Sequence, residues 1–458
     1  MFQNDMRELS RALDTSSIFE APEGLNYFPF QAAGIDFCLS NPIHNSLIAD
    51  EPGLGKTIQA VGYSSATGAS NILIVAPASL LFNWAKEVRR WHLNRDITIQ
   101  VITTSKMDLD LTRDVHVVSY SLATNKKIHR FLQRKCPDVL VLDEVHYLKN
   151  PKAKRTKAIY KDSGNLADRS SNIIALSGTP VLNRPKELYE TISKLCPDAI
   201  DGISYDAYAR RYCGAWWDKR FNKLWDDGSS NERELGDKLR SSFMVRRKKI
   251  DVLKDLPAKI INLAILDPSR KAKSILRSMS VFSPEEIIRL KGVTTHYEGL
   301  STMRRELGVE KVAASVNYVK NVLDSGRDKV VLFAHHKEVL LKLKEDLAAY
   351  GPVLLYGATP KAERQKAVDK FQTDRDTRVF IGGIVPCGEG ITLTAASYVA
   401  FIEFSWVPGS NAQAEDRCHR IGQKDSVLIE YLVYPDSLDH NILKSSTRKS
   451  LSISDIMS

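Results

Sequence analysis

The chain has 458 residues, 43% of them hydrophobic and 26% charged, a composition typical of a globular protein with two or three domains. It has no apolar run that could cross a bilayer, no secretion-signal pattern at the N-terminus and no C-x-x-C pair among six cysteines, which argues against a membrane span, a disulfide framework or a zinc module. The net charge of +10 permits nucleic-acid binding without establishing it.

A glycine turn between a strand-like and a helix-like segment is the first informative feature of the chain. Residues 50–57 have the sequence DEPGLGKT and follow a short apolar run. Gly53 and Gly55 would let backbone N–H groups approach a phosphate, and the start of the following helix would add partial positive charge. Lys56 could then contact the β- and γ-phosphates of a nucleotide, and the Thr57 hydroxyl could bind Mg²⁺.

The turn departs from the strict pattern G-x-x-x-x-G-K-[ST] because Asp50 occupies the position of its first glycine. A glycine-rich turn with a chance Lys-Thr pair is therefore the alternative. Two carboxylates further along favour the nucleotide site: the apolar run 138–142 predicts a buried parallel strand, and Asp143 and Glu144 end it. Acids at such a strand end can hold a metal and deprotonate water, although a solvated acidic turn has the same sequence.

Apolar, β-branched runs alternate with helical stretches in both halves of the chain. This alternation predicts parallel sheets, and two series separated by more than a hundred residues predict two α/β lobes. The runs, besides the one that enters the glycine turn, are 71–77, 97–103, 115–120, 138–144 and 172–179 in the first half, and 329–335, 353–357, 378–385, 398–404 and 427–434 in the second.

The stretch from about 185 to 326 is predicted to be mainly helical. Its aromatic-rich segment is Tyr205, Tyr208, Tyr212, Trp216, Trp217, Phe221 and Trp225, with Arg210, Arg211, Lys219 and Arg220 interleaved. We expect these aromatic residues to form the core of a helical subdomain, and base stacking is the alternative. The basic run 246–249 is either a solvated or import-like patch, or a phosphate-backbone contact or lobe-coupling segment.

The second half has no phosphate loop, but it carries Arg417 and Arg420 within the segment 413–423. On a helix, residues three apart share a face, and two guanidinium groups suit the charge of a phosphoryl-transfer transition state. Taken alone this spacing is common. Together with a nucleotide site in the other lobe, it suggests arginine fingers.

The whole chain resembles the Swi/Snf-type ATPases of helicase superfamily 2, and most of all their annealing-helicase branch. The family motifs occur in the family's order at 27–31, 50–57, 76–80 with Trp84, 119–120, 143–146 with 149–150, 177–180 with Asn183, Glu187 and Leu188, 333–335, 388–394 and 413–423. Segments 211–213 and 303–308 resemble the annealing-helicase branch, and 245–253 with 256–259 resembles the family's exit from the first lobe. The family accepts an acid at the position of Asp50, whereas Pro52 replaces its usual methionine.

The resemblance implies a role for each candidate residue. It implies catalytic roles for Lys56, Asp143, Glu144, Arg417 and Arg420, nucleotide contacts from Gln31, Gly53, Gly55, Lys56, Thr57 and Gln413, metal binding by Thr57 and Asp143, and DNA contacts from Ser79, Trp84, Ser119 and Thr392. Gln31 would contact the adenine, Asp143 the metal and Glu144 the attacking water. The cofactors would be ATP and Mg²⁺.

These observations predict two RecA-like parallel-sheet lobes with a mainly helical insertion between them. The first lobe would cover 1–255 with an insertion at about 185–250, and the second 256–458 with a helical segment at about 268–326. Little sequence flanks the motifs, so we expect no accessory domains and no chromatin remodelling.

The predicted function is a DNA-dependent ATPase that moves along double-stranded DNA and remodels or anneals it. Double-stranded or branched DNA would be the partner, with a monomer as the active unit. We expect no membrane association, and a DNA-associated location in the cytoplasm of a bacterial or viral host, or in a eukaryotic nucleus. A strand-separating DNA or RNA helicase and a non-catalytic DNA-binding recruitment module are the alternatives.

Overall fold

The computed structural model describes residues 2–181, 184–219, 222–279, 294–384, 390–405, 407–435 and 437. These residues form two compact units that divide between Lys254 and Asp255, one residue before the boundary that the sequence suggests. Each unit contains a parallel sheet flanked by helices, which confirms the predicted two-lobe α/β fold.

Strands and helices alternate along both units. In chain order the strands are β1 (Asn45–Ile48), β2 (Ile72–Ala76), β3 (Ile99–Ile102), β4 (Val115–Ser119), β5 (Val139–Asp143), β6 (Asn172–Leu176), β7 (Trp216–Asp218), β8 (Lys223–Trp225), β9 (Met244–Val245), β10 (Lys259–Ile265), β11 (Val330–Ala334), β12 (Val353–Leu355), β13 (Val379–Gly383), β14 (Tyr398–Phe401) and β15 (Val427–Val433). The helices are α1 (Phe2–Leu9), α2 (Pro29–Ser40), α3 (Lys56–Ala66), α4 (Leu81–Trp91), α5 (Tyr120–Ala123), α6 (Lys126–Lys135), α7 (Lys154–Thr156), α8 (Tyr189–Leu195), α9 (Tyr205–Tyr212), α10 (Glu232–Arg240), α11 (Lys249–Val252), α12 (Arg270–Met279), α13 (Thr294–Asp324), α14 (Lys337–Asp346), α15 (Lys361–Thr373) and α16 (Pro408–Glu415).

The strand order of the first unit determines which loops lie side by side. In the described part of this unit the parallel sheet has the order β3-β4-β2-β5-β6-β1-β9. Leu176 at the end of β6 is level with Ile48 of β1 on one side and with Asp143 of β5 on the other. The segments that follow these three strands therefore lie beside one another at the carboxyl edge, where parallel sheets bind ligands.

Helices cover both faces of this sheet. Val139 and Val141 of β5 belong to one buried apolar cluster, which also contains Trp84 of α4. The alternate residues Leu140 and Leu142 belong to a second cluster on the opposite face. A strand that is buried on both faces has a continuous apolar sequence, which is the pattern from which this sheet was predicted.

The second unit contains a parallel sheet in the order β10-β15-β14-β11-β13-β12 among the described residues. Strands β11, β13 and β14 are buried along their whole length and lie within a single apolar cluster. Among the described helices of the chain, none is long and apolar enough to cross a membrane.

The region between the two sheets is mainly helical, as predicted, but it also contains strands that the sequence did not indicate. Strands β7 and β8 pair as an antiparallel hairpin, β9 joins the first sheet and β10 joins the second. Two-residue and edge strands have weak periodicity, so sequence patterns detect them poorly. The aromatic segment is divided: Tyr208 and Tyr212 are buried as expected, whereas Trp216 and Trp217 are exposed. Arg220 and Phe221 lie outside the described residues.

Candidate functional site

The glycine turn connects β1 to α3, as the nucleotide-site prediction requires. Gly53 has a φ of 91° and Gly55 a φ of 79°, both in the left-handed region that side chains disfavour. Gly55 also precedes the first residue of α3, and a Cβ there would lie 2.3 Å from the Gln31 Nε2 atom. Both backbone conformation and space therefore require glycine at Gly55, and the turn directs the N-terminus of α3 towards the carboxyl edge of the sheet.

Gln31, the predicted adenine contact, is buried beside this turn. Its side-chain amide donates to the Leu54 carbonyl at 3.2 Å and accepts from the Phe28 backbone N–H at 3.1 Å. In this structure the Gln31 side chain connects the start of α2 to the phosphate loop. Its contact with adenine remains a prediction.

Asp50 forms a buried ion pair, which explains the departure from the strict loop pattern. Its Oδ1 accepts from the Arg247 Nε at 2.9 Å and from the Arg247 backbone N–H at 2.8 Å. Its Oδ2 accepts from the Arg247 guanidinium at 2.5 Å and from Gln59 Nε2 at 2.9 Å. Both side chains of the pair are at most 1% exposed. Asp50 thus ties the start of the loop to the segment after β9.

The basic run 246–249 is therefore partly internal, which the sequence interpretation missed. Arg246 donates to the Ala49 carbonyl at 2.6 Å and to the Gly178 carbonyl at 3.3 Å. The Lys249 backbone N–H donates to a carboxylate oxygen of Glu51 at 2.8 Å. A buried carboxylate requires an opposite charge nearby. The presence of Asp50 in the loop was therefore the feature of the sequence that could have indicated a basic partner for it.

Lys56 lies among charged groups at the carboxyl edge of the first sheet. Its ammonium donates to the carbonyls of Asp50 at 2.7 Å and Glu51 at 3.3 Å. Burial lowers the pKa of Lys56 from 10.5 to about 8, and the carboxylate of Glu144 is the strongest of the charges that oppose this shift. A Cβ on Gly178 would lie 3.0 Å from the Lys56 Nζ, so glycine allows the segment after β6 to approach the loop.

Asp143, the last residue of β5, is buried and held by two donors. Its Oδ2 accepts from the Trp84 indole N–H at 2.7 Å, and its Oδ1 accepts from the Glu144 backbone N–H at 3.0 Å. Burial, together with the charge of Glu144, raises the pKa of Asp143 from 3.8 to about 7. The Trp84 hydrogen bond and the charge of Lys56 oppose this increase.

Glu144 has a backbone conformation that is rare for a residue with a side chain. Its φ of 50° and ψ of 56° lie in the left-handed region, and such strain is often retained at functional sites. The Ser177 hydroxyl donates to Glu144 Oε2 at 3.4 Å, and His146 Nδ1 lies 3.2 Å from the same atom. Strand pairing of Asp143 with Leu176 brings Ser177 to this position. Asn183, part of the same family motif, lies outside the described residues.

The predicted DNA contacts of the first unit differ in exposure. Ser79 is exposed. Trp84 is 1% exposed, because α4 packs its apolar face on the sheet, and its indole N–H is used by Asp143. Ser119 is 3% exposed, and its hydroxyl accepts the Leu122 backbone N–H at 3.3 Å as the N-cap of α5. In this structure the polar groups of both side chains are engaged within the first unit, and their contact with DNA remains a prediction.

The two candidate arginines of the second unit do not lie on a helix, contrary to the sequence interpretation. Helix α16 ends at Glu415, and the chain continues through turns. The arginines nevertheless converge, since Arg417 and Arg420 both donate to the Ile391 carbonyl, at 3.4 and 2.9 Å. Burial and the charge of Arg417 lower the pKa of Arg420 from 12.5 to about 10.

The remaining candidates of the second unit surround these arginines. The Thr392 hydroxyl, a predicted DNA contact, accepts from Arg420 at 2.8 Å. Gln413 is buried, and its backbone carbonyl accepts from Arg417 Nε at 3.0 Å. Gly388 and Glu389, which begin the family motif at 388–394, lie outside the described residues.

Two further segments that carry the family resemblance meet at Glu403. Its Oε2 accepts the backbone N–H groups of His335 at 3.0 Å and His336 at 2.9 Å. A Cβ on Gly308 would lie 2.4 Å from Glu403 Oε1, so glycine at the end of segment 303–308 allows α13 to approach this carboxylate. Burial acts to raise the pKa of Glu403, but the hydrogen bond and charge of His336, together with smaller contributions, outweigh it and lower that pKa.

Comparison with protein families identifies two domains in the chain. A profile of the SNF2-related domain matches residues 30–313, and a profile of the helicase conserved C-terminal domain matches residues 310–422.

Comparison with individual proteins finds relatives over nearly the whole chain. The "SWI/SNF-related matrix-associated actin-dependent regulator of chromatin subfamily A-like protein 1" of Xenopus tropicalis is 34% identical over 95% of this chain and 45% of its own length. The "DNA annealing helicase and endonuclease ZRANB3" of Homo sapiens is 36% identical over 90% of this chain and 38% of its own length. The chain thus spans less than half of either relative. Among solved structures, the Sulfolobus solfataricus SWI2/SNF2 ATPase core in complex with dsDNA matches 96% of this chain and 95% of its own, with 23% identity and a TM-score of 0.44.

Proposed function

Since the chain belongs to the SNF2-related family, we propose that it is a DNA-dependent ATPase that couples ATP hydrolysis to movement along double-stranded DNA. The proposal includes double-stranded or branched DNA as the partner and a single chain as the active unit. The two relatives described above are vertebrate proteins named for chromatin regulation and for DNA annealing. A DNA-associated location follows from this proposal, in the nucleus if the host is a eukaryote.

One observation carries the hydrolytic part of the proposal. Lys56 and Glu144 are 88 residues apart in the sequence, yet the segment after β6 contacts both: Ser177 donates to Glu144 Oε2 at 3.4 Å, and a Cβ on Gly178 would lie 3.0 Å from Lys56 Nζ. A phosphate-binding cation and a general base are therefore neighbours at the carboxyl edge of one sheet. That arrangement suits attack of water on a terminal phosphate.

The residues present fit ATP and Mg²⁺. The left-handed φ angles of Gly53 and Gly55 suit a turn whose backbone N–H groups surround a phosphate. The Thr57 hydroxyl and the Asp143 carboxylate are oxygen ligands of the kind that Mg²⁺ prefers. Bound Mg²⁺ would neutralise charge on the transferred phosphoryl group. Lys56 would bind the β- and γ-phosphates.

Glu144 would accept a proton from the attacking water at its carboxylate. Ser177 and His146 both approach Oε2, so they would orient the carboxylate before water binds. The strained backbone of Glu144 would keep the carboxylate at this edge of the sheet.

Arg417 and Arg420 would complete the site from the second unit. Their convergence on the Ile391 carbonyl supports this role, because two guanidinium groups held together suit the negative charge of the transferred phosphoryl group. Binding of DNA would favour the arrangement of the two units in which these arginines reach the nucleotide.

The proposal is tested by measuring ATP hydrolysis in parallel without nucleic acid and with single-stranded DNA, double-stranded DNA, forked DNA and RNA. Stimulation by double-stranded DNA, together with displacement of a third strand from a triplex, is expected. Lys56→Ala should abolish both activities and weaken nucleotide binding while the protein remains folded.

Three outcomes would contradict the proposal or its assignments. Displacement of a strand from a duplex without triplex displacement would identify a strand-separating helicase. DNA binding without hydrolysis on any nucleic acid would identify a recruitment module. Turnover by Lys56→Ala close to that of the unmodified chain would refute the assignment of the phosphate loop.

A further inference from the structure

A small hairpin in the first unit exposes two tryptophans that the nucleotide site does not use. Strands β7 and β8 pair so that Trp216 faces Trp225 and Trp217 faces Leu224. Trp216 is 58% exposed and Trp217 is 50% exposed, whereas large aromatic side chains are usually well buried. Successive residues of a strand point to opposite faces, so each face of the hairpin presents one exposed indole.

The base of the hairpin is held firmly on the first unit. Asp226, which follows β8, accepts from Lys186 at 2.7 Å and from the Tyr205 hydroxyl at 2.5 Å. On the other side, the Ser230 backbone N–H donates to the Tyr212 carbonyl at 3.0 Å. Tyr212 itself is completely buried. The exposed indoles are therefore presented from a fixed base, which reduces the entropy lost when a ligand binds them.

The geometry of the rings favours a planar ligand. The rings of Trp216 and Trp225 are nearly parallel, with centroids 6.3 Å apart and an angle of 19° between their planes. Trp216 is 58% exposed, so much of its ring can contact a further flat group. Aromatic rings presented in this way bind nucleic-acid bases by stacking, with little dependence on base identity.

The charge around the hairpin favours a polyanion over an apolar protein surface. Residues 216–227 include three basic and three acidic residues, and the chain as a whole carries a net charge of +10. Lys219, directly after β7, is exposed. Asp226 and Asp227 are both paired with Lys186, which reduces their repulsion of a phosphate.

From these observations we infer that the β7–β8 hairpin binds unpaired nucleotides, with Trp216 and Trp217 stacking on exposed bases and Lys219 contacting the backbone. This inference rests on the proposed function, because it names the kind of DNA that the translocase would engage. Bases inside an intact duplex are already stacked on one another and present no face to an indole. The preferred substrate would therefore be a duplex that adjoins single-stranded DNA, such as a fork.

The experiment measures binding without ATP to a thymidine oligonucleotide, to a blunt duplex and to a fork of equal length. Intrinsic tryptophan fluorescence of the unmodified chain is compared with that of the variants, and quenching that is lost when Trp216 and Trp217 are replaced is assigned to these two indoles; Trp84 and Trp91 are only 1% and 7% exposed. Two double variants are compared: Trp216→Phe with Trp217→Phe, which keeps aromatic faces, and Trp216→Leu with Trp217→Leu, which keeps apolar bulk. Ile18→Ala, at a residue of the same unit that is 97% exposed, is the control. Variant binding is measured by fluorescence anisotropy of labelled DNA.

We expect quenching of the unmodified chain by the oligonucleotide and by the fork. The leucine variant should lose about tenfold or more in affinity for both, the cost of a lost base stack, while the phenylalanine variant stays within about threefold. Blunt-duplex affinity and melting temperature should be unchanged in all variants. The leucine variant should therefore no longer bind the fork more tightly than the blunt duplex.

Two results would overturn the inference. Unchanged oligonucleotide affinity in the leucine variant would show that the indoles do not contact bases and would leave a protein partner as their occupant. Equal losses of affinity of the leucine variant for the oligonucleotide and for the blunt duplex would show that the hairpin contributes to DNA binding without a preference for unpaired nucleotides. Because binding is measured without ATP, a chain that never hydrolyses ATP but passes this test refutes the proposed function alone. A DNA-stimulated ATPase whose leucine variant is unaltered refutes the hairpin inference alone.

Discussion

Replacing Asp50 by glycine should damage this protein even though it restores the strict phosphate-loop pattern. The Asp50 carboxylate accepts from the guanidinium and backbone of Arg247 and from Gln59, and it is completely buried. Asp50→Gly would leave the Arg247 guanidinium buried without its counter-charge. Asp50→Asn keeps the shape of the side chain and removes only the charge. Comparing it with Asp50→Gly therefore separates the effect of the lost charge from the effect of the more flexible glycine backbone.

The size of the effect follows from the burial of the pair. Removing one partner of a buried ion pair costs about 3–5 kcal/mol, because the remaining charge stays out of water. For a unit of this size, each kcal/mol lowers the melting temperature by about 2–4 °C, so a fall of roughly 6–20 °C is expected. The pair of Arg7 with Asp237 is just as short, at 2.6 Å, but both side chains are at least 43% exposed. Asp237→Asn should therefore cost no more than about 1 kcal/mol.

Thermal and urea unfolding, followed by circular dichroism, measure these costs on the purified proteins. Asp50→Leu combined with Arg247→Met removes both charges and should recover most of the stability lost by Asp50→Gly, because no charge is then left buried. Hydrolysis by Asp50→Gly should fall together with stability, since the pair holds the start of the loop.

Wild-type stability and turnover in Asp50→Gly and Asp50→Asn would refute this reasoning. A loss in Asp50→Asn that the double replacement does not reduce would show that the hydrogen bonds to Gln59 and the backbone matter more than the ion pair.

The other predictions concern the chemistry of the site. Glu144→Gln should bind ATP and DNA normally, yet hydrolyse about 10²–10⁴-fold more slowly in single-turnover assays, because the amide cannot accept the proton; a loss of nucleotide affinity at an unaltered rate per bound ATP would contradict this role. Arg420→Ala should lose about 10³-fold or more of DNA-stimulated turnover, while the melting temperature should fall only by the cost of the hydrogen bonds to the Ile391 carbonyl and the Thr392 hydroxyl; a turnover loss no larger than the stability loss explains would identify a structural residue instead. Trp84→Phe removes the indole donor that lowers the pKa of Asp143, so that pKa should rise, the acid limb of the rate profile should move to higher pH and more Mg²⁺ should be needed. Weaker DNA binding by Trp84→Phe at an unchanged Mg²⁺ requirement would identify Trp84 as a DNA contact after all.

The elements that carry the nucleotide site could be predicted because their signals are local. A strand buried on both faces, such as β5, has a continuous apolar sequence, and the carboxylates of Asp143 and Glu144 follow it directly. The turn with Gly53 and Gly55 is equally local, since its left-handed backbone needs glycine whatever lies elsewhere in the chain. Chain order alone therefore predicted two α/β lobes and the candidate phosphate-binding residue Lys56.

Contacts between distant segments depend on the tertiary structure, since local periodicity shows which face of an element is apolar and not which element covers it. Asp50 and Arg247 are 197 positions apart, and they meet only because β9 pairs with β1. Ser177 reaches Glu144 because β6 lies beside β5 in the sheet.

The same reason explains the contacts that the sequence did not predict. The apolar face of α4 predicted burial, but only the packing of that face on the sheet puts the Trp84 indole against Asp143. Arg417 and Arg420 had helical spacing, yet the helix ends before them, and their convergence comes from the shared Ile391 carbonyl of another segment. The sequence shows that this segment is rich in aromatic residues, but only tertiary packing decides that Tyr208 and Tyr212 are buried while Trp216 and Trp217 remain in contact with water.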